Sequence, residues 1–392
     1  MGHTEFAVMD PGRDRPGIDR MLSLAFGGTM SGVSDWIGAS LAENFRVLRE
    51  GGRAVSTMTL VPMGQWWGGR SVPMLGVAGV AVAPEDRGRG HAKRMMESFV
   101  RESAGSGGVL SGLYASTHSL YRGVGFEHAG VRMMYSVPLV RIDVAARAGG
   151  VERLTAGHGA DVSGCYSAFA SLFDGTLDRG PYIWARVRKF REEEYEGFGV
   201  RGPTGSLEGY LYVSLKRLDS GKLNLSLSDL AFLNAAAGRR LLSFVRDFGM
   251  MGEAVTFAGG PAHPAAELLG QQRHTAEIKD TWMIRVLDVA RAVAARGFPR
   301  GVSGEVHLEV RDGLVERNDG RWVVRVEGGR GEAVRGGRGE IGCSINGFAA
   351  MYAGYLSPAQ CAMVGLAEGD EGALNAAGGV LGAGSPWMSD HF

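Results

Sequence analysis

Residues 77–101 contain a strand, a glycine-rich loop and a helix start in that order, and this arrangement constrains the fold most. The apolar run Val77–Val82 has the length of a buried strand, and a turn follows at residues 84–86. Gly88 and Gly90 have no Cβ, so the main chain there can approach a pyrophosphate at the positive end of the following helix. The stretch therefore predicts an anion-binding loop within an α/β fold.

The loop spacing differs from two common phosphate-binding motifs. A dinucleotide fingerprint needs Gly-x-Gly-x-x-Gly and a P-loop needs Gly-Lys-Ser/Thr, and the loop has neither. An ordinary basic turn is the alternative interpretation, because glycine patterns often arise by chance. The run Arg87–Ala92 reads Arg-x-x-Gly-x-Ala after a Val-x-Val-x-Pro strand, and it resembles the acetyl-coenzyme A loop of the GNAT acetyltransferase superfamily. We predict that acetyl-coenzyme A contacts Val80, Ala81, Val82, Arg87, Gly88, Arg89, Gly90, His91, Ala92, Lys93, Ser116 and Thr117.

Composition excludes several classes of protein. The chain has 392 residues, which predicts two or three domains, and 42 basic residues balance 42 acidic ones. Zero net charge argues against a general binder of nucleic acid or membrane surfaces. The three cysteines are far apart, no metal-ligand spacing occurs, and no apolar run has the length of a membrane span. We therefore expect a cytoplasmic protein without a disulfide framework or a metal.

The periodicity divides the chain into three parts. Residues 17–50 show two helical patterns, the second running from Trp36 to Leu48, and strands and helices alternate afterwards. A small Ala- and Gly-rich joint at residues 145–150 predicts a linker. A second, similar unit follows, but its loop at residues 235–240 lacks the pyrophosphate pattern, so we assign the cofactor to the first unit only. Predicted strands are 53–62, 71–82, 109–115, 132–139, 206–213, 224–230, 302–310 and 322–326, and the Gly- and Arg-rich residues 328–340 are either a hairpin loop or an RNA-binding segment.

Tyr121 is the candidate for proton transfer. Acetyl transfer from a thioester needs a proton for the departing thiolate, and a tyrosine pKa of about 10, against about 8.5 for a thiol, suits that role. Tyr121 lies in the run LYRGVGF, which resembles the GNAT signature of a tyrosine four residues before Gly-Phe. The alternative is a core tyrosine with a satisfied hydroxyl group. Ser116 and Thr117 either bind the pantetheine arm or cap the next helix, and His118 is either a base or a surface residue.

The chain as a whole resembles the Eis (enhanced intracellular survival) acetyltransferases. The resemblance implies an α/β fold with mixed sheets: a GNAT domain at 1–145, a degenerate GNAT-like domain at 146–284 and a sterol-carrier-like domain at 285–392. The pieces that carry it are the pyrophosphate loop, Ala115-Ser116, Tyr121–Phe126, Trp282–Val289, Ala294–Phe298, Tyr352–Tyr355 and the C-terminal phenylalanine.

The resemblance also implies a catalytic mechanism that the residues by themselves do not indicate. It makes Tyr121 the general acid and the α-carboxylate of Phe392 the general base. It implies a homohexamer that acetylates small-molecule amines, in some members several amines of one aminoglycoside. Two departures stand out: His391 replaces an acid of well-known members, and the turn after Phe26 offers no carboxylate. We predict acceptor contacts at Trp36, Trp66 and Phe26, although these tryptophans and Trp67 serve equally well as packing residues.

Three functions remain open from the sequence. The first is an acetyl-coenzyme A-dependent N-acetyltransferase that acts on a small cationic amine, for example an aminoglycoside-like one. The second is a protein-lysine acetyltransferase, which differs only in the acceptor. The third is a non-catalytic scaffold whose C-terminal domain binds an apolar ligand. The intact Arg-x-x-Gly-x-Ala loop together with Tyr121 favours an enzyme.

Overall fold

The computed structural model describes residues 4–392, apart from the side chains of Met30, Ser31, Ser34, Asp35 and Ala39. The helices are α1 (Arg15–Phe26), α2 (Met30–Ser40), α3 (His91–Gly105), α4 (His118–Arg122), α5 (Gly159–Ala170), α6 (Pro181–Arg188), α7 (Ala235–Arg246), α8 (Pro264–Glu267), α9 (Val289–Ala295), α10 (Ile345–Ala353), α11 (Pro358–Met363) and α12 (Glu371–Leu381). The first strands are β1 (Thr4–Val8), β2 (Phe45–Glu50), β3 (Arg53–Trp67), β4 (Arg70–Val82), β5 (Leu110–Tyr114), β6 (Glu127–Pro138) and β7 (Val151–Leu154). The middle strands are β8 (Leu177–Asp178), β9 (Lys189–Phe190), β10 (Glu193–Glu194), β11 (Glu196–Arg201), β12 (Leu207–Arg217), β13 (Leu223–Phe232) and β14 (Gly252–Gly259). The last strands are β15 (Thr275–Val286), β16 (Gly304–Arg311), β17 (Gly320–Glu327), β18 (Arg330–Arg335), β19 (Ile341–Ser344) and β20 (Ala367–Gly369).

Contacts divide the chain into two units that are not consecutive in sequence. The first unit comprises the chain up to Ala129, residues 282–384 and Phe392, and the second comprises residues 130–281 and 385–391. The division into three consecutive domains stays a prediction.

The first unit is built on two sheets. One has the order β1-β2-β3-β4-β5-β15, in which β4 and β5 are parallel and the other neighbours are antiparallel. The apolar face of α3, including Met95 and Phe99, packs on this sheet in a core that also contains Val77 and Tyr121. This packing fixes the start of α3 at the end of β4.

The second sheet of the first unit contains β18-β17-β16-β19-β20, accompanied by α9 to α12. Arg285, at the end of β15, forms a bidentate ion pair of 2.7 Å with Asp312, and neither side chain is exposed. Asn318 donates a hydrogen bond to the same carboxylate. A buried charge needs such a partner, so this pair anchors the second sheet on the first.

The second unit has one main sheet with the order β6-β14-β13-β12-β11-β7. The pair β13 and β14 is parallel, and the remaining neighbours are antiparallel. Its core is formed by side chains of α7 and the sheet, among them Leu211, Leu241 and Val255. Parallel and antiparallel pairs thus occur in each unit, which confirms the predicted α/β class with mixed sheets.

Several local predictions need correction. The helix predicted from Trp36 to Leu48 is wrong beyond Ser40, because Leu41 has a φ of 63° and residues 45–50 form β2. In β2 the buried Phe45 and Val47 alternate with Arg46, which suits a strand. Residues 328–340 are not one loop, since a two-glycine turn leads directly into β18.

Two further observations concern the cysteines and the helices. Cys165, Cys343 and Cys361 are buried free thiols. Among residues 4–392, the helices lack the length and apolarity needed to cross a membrane.

Candidate active site

The site begins where two parallel strands separate. Strands β4 and β5 pair only from Met74 to Gly76, opposite Leu110 to Gly112, although β4 continues to Val82. A bulge at Gly79, with a φ of 58°, bends β4 at this point. The edge of β4 beyond Gly76 therefore presents N–H and C=O groups that β5 does not pair within the described chain. This edge contains the predicted residues Val80, Ala81 and Val82.

The glycine-rich loop lies at the end of that strand. Gly88 and Gly90 have φ angles of 76° and 79°, and a Cβ added to either would meet nothing within 4 Å. Their backbone therefore faces open space. Gly90 precedes α3, whose first N–H groups, at His91, Ala92 and Lys93, have no acceptor within the helix. An exposed helix start with these properties suits a phosphate.

The side chains of the loop are less uniform than the prediction assumed. Arg87 is exposed, whereas the Arg89 guanidinium donates to Asp86 and to Glu50, both at 2.9 Å. His91 is 1% exposed, and neither ring nitrogen has a hydrogen-bond partner among the described residues. Burial lowers the pKa of His91, and Arg94 lowers it further.

The ligand atoms of Glu50, Asp86 and His91 lie within 4.8 Å of one another, which is close enough for a metal ion. The carboxylates already pair with cations, since Arg53 lies 2.8 Å from Asp86 and Arg89 bridges Asp86 and Glu50. We therefore infer that Glu50, Asp86 and His91 have a structural role and hold the loop in place.

Tyr121 lies in the core beside the strand edge. It is 4% exposed and shares one cluster with Val80 and Ala115. Burial raises the pKa of its phenol, and a hydrogen bond with Ser116 partly offsets that effect. Thr117 precedes α4, but its side chain makes no cap hydrogen bond among the described residues. The alternative prediction that Thr117 caps this helix is therefore wrong.

The C-terminal residue reaches the first unit. The Phe392 ring packs edge-on against Tyr114, with ring centroids 5.7 Å apart, and a Cβ on Gly76 would lie 2.8 Å from that ring. The chain end thus lies at the point where β4 and β5 separate. The sequence contains one indication of this contact, because an isolated glycine in a strand often marks a close approach.

The preceding tail residues are fixed in the second unit. Trp387 packs against Phe173 with centroids 5.1 Å apart. Arg179 is fully buried; it contacts the Asp390 carboxylate at 2.9 Å and binds Asp229 at 2.5 Å and 2.9 Å. Sequence analysis missed this network, because the three residues are far apart along the chain.

Only one of the predicted acceptor residues lies at the strand separation. Trp36 packs directly on Gly79, at the bulge of β4. Trp66 pairs with Ser71, eight residues before Gly79, which is about 26 Å along a strand. Phe26 is 56% exposed at the end of α1. Trp67 is fully buried and packs with Trp282 and Tyr352, so it is a core residue.

The corresponding helix of the second unit is already capped. The Asn234 side chain accepts a hydrogen bond from the Ala237 N–H at the start of α7, and it donates to Glu208 at 2.8 Å. A cap and a nearby carboxylate both oppose phosphate binding. This arrangement agrees with the assignment of the cofactor to the first unit.

The separated strands, the glycine-rich helix start and the bulged β4 together define the GNAT class of fold. Residues 13–129 and 175–286 each match a family described as an acetyltransferase (GNAT) domain, and residues 289–389 match a sterol carrier protein domain. The predicted order of two GNAT domains and a sterol-carrier-like domain is therefore confirmed. Their exact boundaries stay predictions.

Three relatives agree with this class. The structure of a GCN5-related N-acetyltransferase from Anabaena variabilis is 30% identical, covers 100% of both chains and has a TM-score of 0.95. One from Kribbella flavida is 26% identical, covers 100% of this chain and 99% of its own, and has a TM-score of 0.87. N-acetyltransferase Eis of Mycobacterium tuberculosis is 28% identical over 276 residues, 66% of this chain; the chain spans 65% of the length of that relative. The chain belongs to the GCN5-related N-acetyltransferase family, and it is similar to N-acetyltransferase Eis.

Proposed function

We propose that the protein is an acetyl-coenzyme A-dependent N-acetyltransferase that acts on primary amines of a small cationic acceptor, for example one or more amines of an aminoglycoside-like molecule. The main support is one juxtaposition: the chain terminus packs against Gly76, where the unpaired edge of β4 begins, and the core containing Tyr121 borders that edge. The α3 start and the open backbone at Gly88 and Gly90 suit the pyrophosphate of the co-substrate.

Each group has a role in the proposed reaction. The amine first loses a proton to the Phe392 carboxylate, directly or through water, and then attacks the thioester carbonyl carbon. Backbone N–H groups of Val80 to Val82 stabilise the negative charge that forms on the carbonyl oxygen. The carbon–sulfur bond then breaks, and Tyr121 gives its proton to the departing thiolate. Burial raises the pKa of Tyr121, which keeps the phenol protonated until that step.

The first experiment measures thiol release from acetyl-coenzyme A with a panel of amines, including aminoglycosides, polyamines and lysine peptides. We expect turnover with at least one small amine. Turnover with lysine peptides alone would favour the protein acetyltransferase. Coenzyme A binding without turnover on any amine would favour the non-catalytic scaffold.

The Tyr121→Phe variant tests the proposed acid. Turnover should fall by about 10²–10⁴-fold with little change in coenzyme A affinity, because general acid catalysis contributes that much. Tyr352→Phe is a matched control, since Tyr352 is also a buried tyrosine of the first unit, donating to Ala292 beside Trp67. Equal turnover in wild type and Tyr121→Phe would remove Tyr121 from the mechanism.

One glycine added after Phe392 tests the proposed base, because it moves the carboxylate by about 3.5 Å. Turnover should fall strongly, whereas Phe392→Leu, which keeps a terminal carboxylate, should retain more activity. Full activity of the extended chain would exclude the terminal carboxylate as the base.

The homohexamer is a further proposal, supported by the family resemblance. The cytoplasmic location is also a proposal, supported by the widely spaced free cysteines. Light scattering after size exclusion should give six chains per particle, and a monomer would contradict the hexamer.

A further inference from the structure

Two histidines that are ten residues apart in sequence meet at the surface of the first unit. His118 begins α4, and His128 is the second residue of β6. Their Nε2 atoms lie 3.4 Å apart, and their ring planes are nearly perpendicular at 88°. His118 is exposed, whereas His128 is partly buried. The two elements thus present a pair of adjacent imidazole nitrogens that solvent can reach.

The separation of these nitrogens fits a shared metal ion. Two nitrogens bound to one tetrahedral Zn²⁺, each at about 2.0–2.1 Å, lie about 3.3–3.4 Å apart. A direct hydrogen bond from a ring N–H is usually shorter, about 2.9–3.0 Å. We propose that His118 and His128 form a binding site for one divalent late-transition-metal cation, represented by Zn²⁺. Water completes the coordination, since imidazole is a preferred ligand of these ions.

The carboxylate beside the two histidines is already neutralised by an arginine. The Glu127 carboxylate is occupied by a bidentate contact with Arg122, at 2.7 Å and 3.0 Å, and lies 3.9 Å from His128 Nδ1. Because Arg122 neutralises the Glu127 carboxylate, we expect the cation to bind to the two imidazole rings and not to this carboxylate.

A cation at this position joins a helix to a strand. Its binding should slow hydrogen exchange in residues 118–128, because α4 is only five residues long and a metal bridge would reduce its local opening. Zinc-dependent protection of that segment therefore provides a structural readout that is independent of catalysis.

Calorimetric titration of zinc chloride into untagged, chelator-treated full-length protein tests the proposal. One Zn²⁺ should bind per chain, and His118→Gln and His128→Gln should each weaken binding by about tenfold or more, since even an outer-shell change costs that much. His158→Gln is the matched control: it removes a histidine of the second unit whose Nδ1 accepts from the Thr155 N–H. Zinc affinity in this control should equal that of the wild type.

Two outcomes would overturn the site. One is zinc binding of equal strength in the wild type and the His118→Gln variant; the other is no measurable zinc binding to the wild type. Because His118 is exposed, the His118→Gln variant should fold. It therefore tests the zinc site even if the His128→Gln variant does not fold.

Discussion

His263 should make the second unit sensitive to acid. Its ring is 1% exposed, and it packs among aromatic rings that include Phe257, at 5.1 Å between centroids. Its Nδ1 accepts the N–H of Ala265 at 3.2 Å and so caps α8, which requires that nitrogen to be unprotonated. Protonation would therefore place a charge in the core and break the cap.

The magnitude follows from the pKa. Burial lowers the pKa of His263 from 6.5 to about 4, with a smaller opposing effect from Asp229. A difference of about 2.5 units at about 1.36 kcal/mol each corresponds to about 3.4 kcal/mol. The unfolded state binds the proton more tightly, so this stability is present above about pH 6.5 and is lost as pH falls towards about 4. Between pH 7 and pH 5 the loss should be about 2 kcal/mol.

Native-state hydrogen exchange measures this loss locally. The free energy of opening for amides of β14 and α8 should fall by about 2 kcal/mol between pH 7 and pH 5 in the wild type. The His263→Asn side chain can still accept the cap hydrogen bond, but it does not titrate. The free energy of opening of this variant should therefore be lower than that of the wild type at pH 7 and should change less between pH 7 and pH 5. His391, whose pKa burial also lowers to about 4, is present in both proteins and cancels in the comparison. The same pH dependence in both proteins would show that His263 is not the group that titrates.

Two further substitutions test the chain terminus and the tail. Gly76→Ala puts a methyl group against Cε of the flexible Met63 side chain and 2.8 Å from the Phe392 ring. The end of the Met63 side chain can move aside, whereas displacing the ring moves the chain terminus, so turnover should fall by up to about 100-fold with coenzyme A affinity retained. Unchanged turnover in the amine assay would contradict the placement of the terminus. Arg179→Met leaves the buried carboxylates of Asp229 and Asp390 without their shared cation. Chemical denaturation should show that the second unit is destabilised by about 3–5 kcal/mol. A loss of stability near zero would show that the network contributes little.

Local patterns predicted the elements around the glycine-rich loop. The apolar run before Pro84, the two glycines of the loop and the apolar face of α3 depend on neighbours in sequence, and the structure has each element where the pattern puts it. The same periodicity failed after Ser40, where buried residues of β2 happen to follow a helical spacing. It also missed β14, which pairs with β13 and β6, and β15, which pairs with β5.

Local residue patterns specify the strand–loop–helix that suits a pyrophosphate and the three-part order of the chain, because backbone geometry and apolar periodicity are local properties. The folded structure adds the contacts of Phe392 with Gly76, of Arg179 with Asp390 and of His118 with His128. These contacts depend on how helices and strands pack together, and the spacing of the residues along the chain does not predict them.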